Sequence, residues 1–177
     1  MKAINIQSLQ WLKKILCVLV PGLLSFWAAA QNPTDSLPDD PGAIAVYTIQ
    51  HLGFGAFSHG AAGGTVVISN TGTRSVTGDI IPLNLGILYF HAIFELNAPA
   101  GTIISILNGA NTTLNGSNGG TISLQIGNSD PPSPFVTTVT QPARTQINIG
   151  GTLTVGGPVA NPPGTYTGTF YITFNQE

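Results

Sequence analysis

The stretch Pro162-Pro163-Gly164-Thr165-Tyr166-Thr167-Gly168-Thr169-Phe170-Tyr171-Ile172-Thr173-Phe174 decides the fold. It opens with a Pro-Pro-Gly turn and then alternates. Tyr166, Gly168, Phe170, Ile172 and Phe174 fall on one side; Thr167, Thr169, Tyr171 and Thr173 fall on the other. A period of two over nine residues predicts a half-buried β-strand. Its β-branched and aromatic residues suit a pleated surface.

Working upstream, the same grammar repeats. Ala43–Gln50 predicts a first strand, followed by a Gly/aromatic segment, His51–Phe57, and a loop, Ser58–Gly63. Strands are predicted over Gly64–Asn70 and Val76–Leu85, the second made irregular or an edge by Gly78 and Pro82. Ala92–Asn97 alternates with Ala92, Phe94 and Leu96 inward and Glu95 outward. Thr102–Leu107 follows as the next strand. Asn108–Gly120 is low in complexity and reads as loop, and its two Asn-x-Ser/Thr triplets match a pattern common by chance in such segments. Ile122, Leu124 and Ile126 mark a clean strand; Asn128–Pro134 reads as a Pro-rich loop. Gln146–Val155 carries Ile147, Ile149, Leu153 and Val155 around Gly150-Gly151, a pair that signals a bulge or a tight hairpin. Eight or nine short strands at this spacing, with no helical periodicity after the leader, predict an all-β domain, an immunoglobulin-like antiparallel β-sandwich over residues 43–177.

The N-terminus reads differently. Lys2, Lys13 and Lys14 precede the apolar run Ile15–Leu24, and Ala28-Ala29-Ala30 supplies small residues before Gln31. This is the pattern of a signal peptide over residues 1–30, cleaved between Ala30 and Gln31. The run is short for a membrane span and holds Pro21 and Gly22, so no membrane insertion is expected after cleavage. Leu16 stands before Cys17 where a lipoprotein signal needs a small residue. Residues 31–42, with three prolines and three aspartates, form a linker. Localisation is therefore expected to be exported: periplasmic, outer surface or extracellular.

Cleavage removes every lysine and the sole cysteine. Arg74 and Arg144 against seven carboxylates leave a net charge of −5. Phosphate neutralisation needs basic residues, so nucleic acid is excluded as a partner. Without cysteine the domain depends on packing and strand pairing for stability.

Catalytic chemistry is hard to place. His51, His59 and His91 lack the spacing of zinc ligands. Asp79, Glu95 and Asp130 are the acids within the domain, and none sits in the aromatic context of a glycosidase cleft. No Gly-x-Ser-x-Gly elbow precedes a helix. Asp35, Ser36, Asp39 and Asp40 lack calcium-loop spacing. The expectation is a non-enzyme without cofactor or metal. Phe54, Phe57, Tyr89, Phe90, Phe94, Phe135, Tyr166, Phe170 and Phe174 read as core, with Tyr171 outward. Both tryptophans, Trp11 and Trp27, lie in the leader, which weakens a sugar-binding platform.

An ordered set of segments carries a family resemblance. Leu52-Gly53-Phe54-Gly55-Ala56-Phe57 precedes Gly63-Gly64-Thr65-Val66-Val67-Ile68-Ser69; then come Thr71–Arg74, Gly78-Asp79-Ile80, Ala92–Leu96, Gly150–Val155 and Pro163–Asn175. Over about Tyr47–Gln176 the chain resembles the domain-of-unknown-function 4402 family of exported proteins of Gram-negative bacteria. That resemblance implies no catalytic residue. The closing strand is also distantly similar to the end of fimbrial and spore-coat-U-type subunits, where a neighbour's N-terminal extension completes the sandwich by β-augmentation. This second resemblance implies a structural or adhesive protein of the cell surface that assembles in a pilin-like way. It would pair strands with itself or with other surface subunits. Gln31–Gln50 would be the donor arm, and Tyr166, Phe170, Ile172 and Phe174 the strand-exchange edge. Against it stands the reading of Ala43–Gln50 as the domain's own first strand. The alternative function is a carbohydrate- or ligand-binding module.

Overall fold

The computed structural model describes residues 42–177. The leader, its Ala30–Gln31 cleavage point and all of the linker except Gly42 lie outside the described residues. Among the described residues there is no helix, and the domain is an antiparallel β-sandwich.

One strand runs through the middle. β11 (Thr145–Val155) turns Ile147, Ile149, Leu153 and Val155 into the core, each 3% exposed or less. On one edge it pairs with β9 (Thr121–Asp130). On the other edge it has two partners in succession: Thr145–Ile149 lie against β6 (Ala92–Asn97), and Gly151–Val155 against β3 (Phe57–Ile68). β1 (Ala45–Gln50) pairs with the far side of β6, β4 (Arg74–Pro82) with β3, and β8 (Thr112–Gly116) with β9. The smaller sheet has the order β10 (Phe135–Val136), β7 (Ile103–Asn108), β13 (Ile172–Gln176). It meets the larger sheet where the rings of Phe94 and Phe174 stand 5.7 Å apart. A ribbon of β2 (Gly53–Phe54) and β5 (Tyr89–Phe90) completes the strands.

The alternations hold. Ile122, Leu124 and Ile126 are buried while Thr121, Ser123 and Gln125 are exposed. Ala92, Phe94 and Leu96 are buried, and Glu95 turns outward to Arg144 at 3.2 Å. β4 is an edge, and Gly78, at φ +65°, supplies its irregularity.

Three predicted loops are strands. Asn108–Gly120 contains β8, hidden from a periodicity count because Leu114 is its only inward apolar side chain. Ser58–Gly63 belongs to β3 as a bulge: between His59 and Gly64, β3 spends five steps against two on β4, from Ile80 to Gly78. Asn128–Asp130 extends β9.

The glycine pair is neither a hairpin nor the bulged side. β11 passes straight through it, and the extra residue lies opposite on β9, between Ile126 and Ser129. Its role is close approach. A Cβ on Gly150 would stand 2.2 Å from the carbonyl oxygen of Ile68, at the place where β11 changes partner from β6 to β3.

The quoted closing stretch is also two strands. Its sides are as predicted, with Tyr166, Phe170, Ile172 and Phe174 half-buried and Tyr171 77% exposed. Yet β12 (Tyr166–Thr167) pairs with β8 in the larger sheet, whereas β13 pairs with β7 in the smaller one. The chain turns the corner over Gly168, whose missing Cβ would press to 2.6 Å on Leu114 and 2.9 Å on the Thr113 carbonyl. Its neighbour turns with it: β7 leads into β8 past Gly109, whose N–H donates to the Tyr171 carbonyl at 2.9 Å. Alternation records which side faces inward and is blind to a change of partner.

Gly150→Ala should force the β3–β11 ladder apart and lower stability by about 1–3 kcal/mol. The exposed-face change Ser123→Ala should stay within about 0.5 kcal/mol. Urea unfolding of the two variants checks the contrast.

Candidate functional site: an uncharged cleft beside the closing strand

The second layer of the sandwich is incomplete over β8, β9 and the C-terminal half of β11. A cleft of about 1120 Å³ opens there. Its floor is core: Phe94, Leu114, Ile122, Leu124 and Leu153. One wall is the consecutive run Pro162–Phe170, and the facing wall combines His51–Phe57 with side chains of the segment 83–90. Successive side chains of an extended segment point to opposite faces. Pro162–Phe170 is not one such segment: the Pro-Pro-Gly turn, the two-residue β12 and the corner at Gly168 let nine consecutive residues line one space.

Local hydrogen bonds fix that wall. Asn161, 2% exposed, accepts from the Gly156 N–H and donates to the carbonyls of Thr121 (2.6 Å) and Ala160 (3.0 Å). Downstream, Ser117 and Thr165 are joined twice: the Ser117 N–H donates to the Thr165 carbonyl at 2.9 Å, and the Thr165 N–H to Ser117 Oγ at 3.1 Å. The Asn118 amide donates to Pro163 O at 2.7 Å, and the Tyr166 hydroxyl to Pro162 O at 2.7 Å. The polar Asn-Gly-Ser-Asn run is therefore a clasp on the Pro-Pro-Gly turn.

Arg74 fixes the other wall. One guanidinium nitrogen donates to Phe54 O (3.3 Å) and Ala56 O (3.2 Å), and the group lies 4.5 Å from the Tyr89 ring centroid. It ties the two pieces of the wall together. Arg144 is used likewise, bonded to Glu95 and 3.9 Å over Tyr47.

Among the described residues, no Asp, Glu, Lys or Arg lines the cleft. Its polar groups are threonines of the walls with His51 and His59, and His59 Nδ1 is buried without a hydrogen-bond partner. The arrangement can bury apolar groups on its floor. Elsewhere, Asp79 accepts from the Ala62 N–H, Glu95 pairs with Arg144, and Asp130 borders a small polar groove beside Asn128 and Ser129. Among the described residues no three His, Cys, Asp or Glu gather.

Of the predicted strand-exchange edge, Tyr166 and Phe170 line the cleft. Ile172 and Phe174 lie on β13, which among the described residues pairs on one side only. Of the donor arm Gln31–Gln50, residues 31–41 lie outside the described residues, and for Ala45–Gln50 the reading as the domain's own first strand holds. Ala45–Gln50 is not beside the closing strand; it pairs within its own chain against β6, Ala45 opposite Asn97 and Thr48 opposite Phe94. Sequence reasoning missed the wall at 83–90. The signal was there, as Leu83, Leu85, Ile87, Leu88, Tyr89 and Phe90 crowd one short connection without strand alternation.

Two substitutions test the walls. Asn161→Ala leaves a buried N–H and a buried carbonyl without partners and should cost about 1–3 kcal/mol in denaturant unfolding. Arg74→Ala should remove hydrogen-exchange protection from amides within 53–57 and 87–90 while the β9–β11 amides keep theirs. Equal loss in both regions would contradict a role confined to the wall.

A family model described as "Domain of unknown function (DUF4402)" matches residues 44–175. No curated protein and no solved structure matches the chain. The match spans β1 to β13 and includes the floor and both walls of the cleft, and the chain belongs to the DUF4402 family.

Proposed function

We propose that this is an exported, non-catalytic β-sandwich of structural or adhesive type, acting at the cell surface or outside the cell by receiving another polypeptide on its cleft. The cleft carries the reading. Its floor is core side chains, and among the described residues its lining is uncharged, with the short strand β12 in one wall. An extended segment laid there would bury alternate side chains on the floor, one of the two elements of β-augmentation. The leader-like N-terminus supports export, and the small number of charges supports a packed, neutral assembly surface. β1 is already paired, so the incoming segment comes from elsewhere than Ala45–Gln50.

A second reading, a module for a small apolar ligand, draws on the same volume, which reaches the scale of ligand pockets. The length of the Pro162–Phe170 wall favours the polypeptide. A sugar platform is disfavoured, since the exposed aromatics Tyr89 and Tyr171 stand on separate elements and Tyr89 is stacked by Arg74.

An uncharged peptide of alternating apolar and threonine residues, at about a hundredfold over its Kd, should stabilise the domain by about 2.7 kcal/mol. It should also slow exchange of the Gly164–Phe170 amides. Stabilisation by fatty acids or detergents with no effect of any peptide would replace this reading with the ligand one.

A further inference from the structure

One stretch of the cleft's rim is held only at its ends. At one end the Leu83 N–H donates to the Ala56 carbonyl at 3.0 Å. At the other, Tyr89 and Phe90 pair with Phe54 and Gly53, and the Arg74 guanidinium lies over the Tyr89 ring. Between these ties, residues 84–88 make no hydrogen bond with any described residue. Leu85, Ile87 and Leu88 are nevertheless 67%, 62% and 74% exposed, a heavy apolar load for an arch that water surrounds. Gly86 stands among them at φ +76° with nothing within 4 Å of where a Cβ would be, so nothing packs on the tip.

A segment with few contacts and no hydrogen bonds belongs to the low-stability end of a structure. Turning this arch about its two ties breaks no hydrogen bond. Leu85, Ile87 and Leu88 already border the cleft, beside a floor that includes Leu114, Ile122, Leu124 and Leu153. Moving them inward takes apolar surface out of water. Among the described residues neither the arch nor the cleft lining carries Asp, Glu, Lys or Arg, so closing desolvates no charge. We propose that residues 84–88 are a lid. The structure holds the open form, and in the closed form Leu85 and Leu88 lie over the floor. Arg74 is the strut that keeps the ties still while the lid turns, since it joins Phe54 and Ala56 to Tyr89. The proposal rests on the cleft being a receiving site and adds that entry to it is gated by the chain's own rim.

Methyl NMR on the protein alone reads the lid directly. The Leu85 and Leu88 methyls should show NOEs to those of Leu114 or Leu124, and residues 84–88 should exchange on the microsecond-to-millisecond scale while β9 and β11 do not. Leu88→Asp places a carboxylate on an exposed tip, so the fold should melt as wild type while the NOEs and the exchange fade. A wild-type arch with neither signal overturns the lid, as does a Leu88→Asp arch that behaves as wild type. The uncharged peptide of alternating apolar and threonine residues separates a lid from a fixed wall. With the lid held open by Leu88→Asp, the peptide should enter and leave faster, each by at least about threefold. Loss of a wall contact changes departure alone, and that result also overturns the lid. A lid seen by NMR in a protein that takes up no peptide upholds the gate and removes the docking reading. Peptide uptake by a protein whose arch is motionless does the reverse.

Discussion

The structure depends on how closely β3 approaches β11. Where the Ile68 carbonyl passes over Gly150, a single methyl group would separate the strands. Because that space is left empty, β11 carries β6 along its first half and β3 along its second, with β9 on the opposite edge. β1, β4 and β8 join only through those three. β11 thus organises the larger sheet, and the glycine pair lets one strand serve three partners.

The corner at Gly168 follows the same logic. The closing segment leaves β8 and joins β7 by crossing over Leu114 with no side chain of its own. The strands move to the smaller sheet at that point, so the floor formed by Leu114, Ile122, Leu124 and Leu153 is left without a full second layer. The cleft is therefore a product of topology. What surrounds it is fixed by polar groups: Asn161, Ser117 and Asn118 on one side, and Arg74 on the other. Both arginines of the domain stack on tyrosines and bond within the domain, and neither is among the residues that line the cleft.

Much of this is legible in the residues. Period two located β6, β9, β11 and the closing segment and assigned their inward faces, because half-burial writes itself directly into the order of side chains. β8 escaped since a strand with one inward apolar residue has no period to detect. The partner change at Gly150 and the corner at Gly168 escaped for another reason: both are relations between strands distant in sequence, and a glycine says only that space is short. Of the site, Tyr166 and Phe170 were legible as the inward face of an edge. The facing wall was not, because Leu83–Phe90 is apolar without period and takes its place only when Arg74 bridges it to Phe54 and Ala56.

The position of β11 in the chain has a kinetic side. β3 can pair early with β4, and β8 with β9, for each is a local match, whereas β1 waits for β6, with Ala45 opposite Asn97. None of these pieces can be joined to another in the larger sheet until residues 145–155 arrive to lie between them. The Pro-Pro-Gly clasp waits still longer, for residues 162–165. A fold that must close long loops before its central contacts form is slow to complete. A chain emerging N-terminus first would hold separate hairpins, with their apolar sides uncovered, until almost all of it had been delivered. Such a chain acquires its resistance to unfolding only at the end.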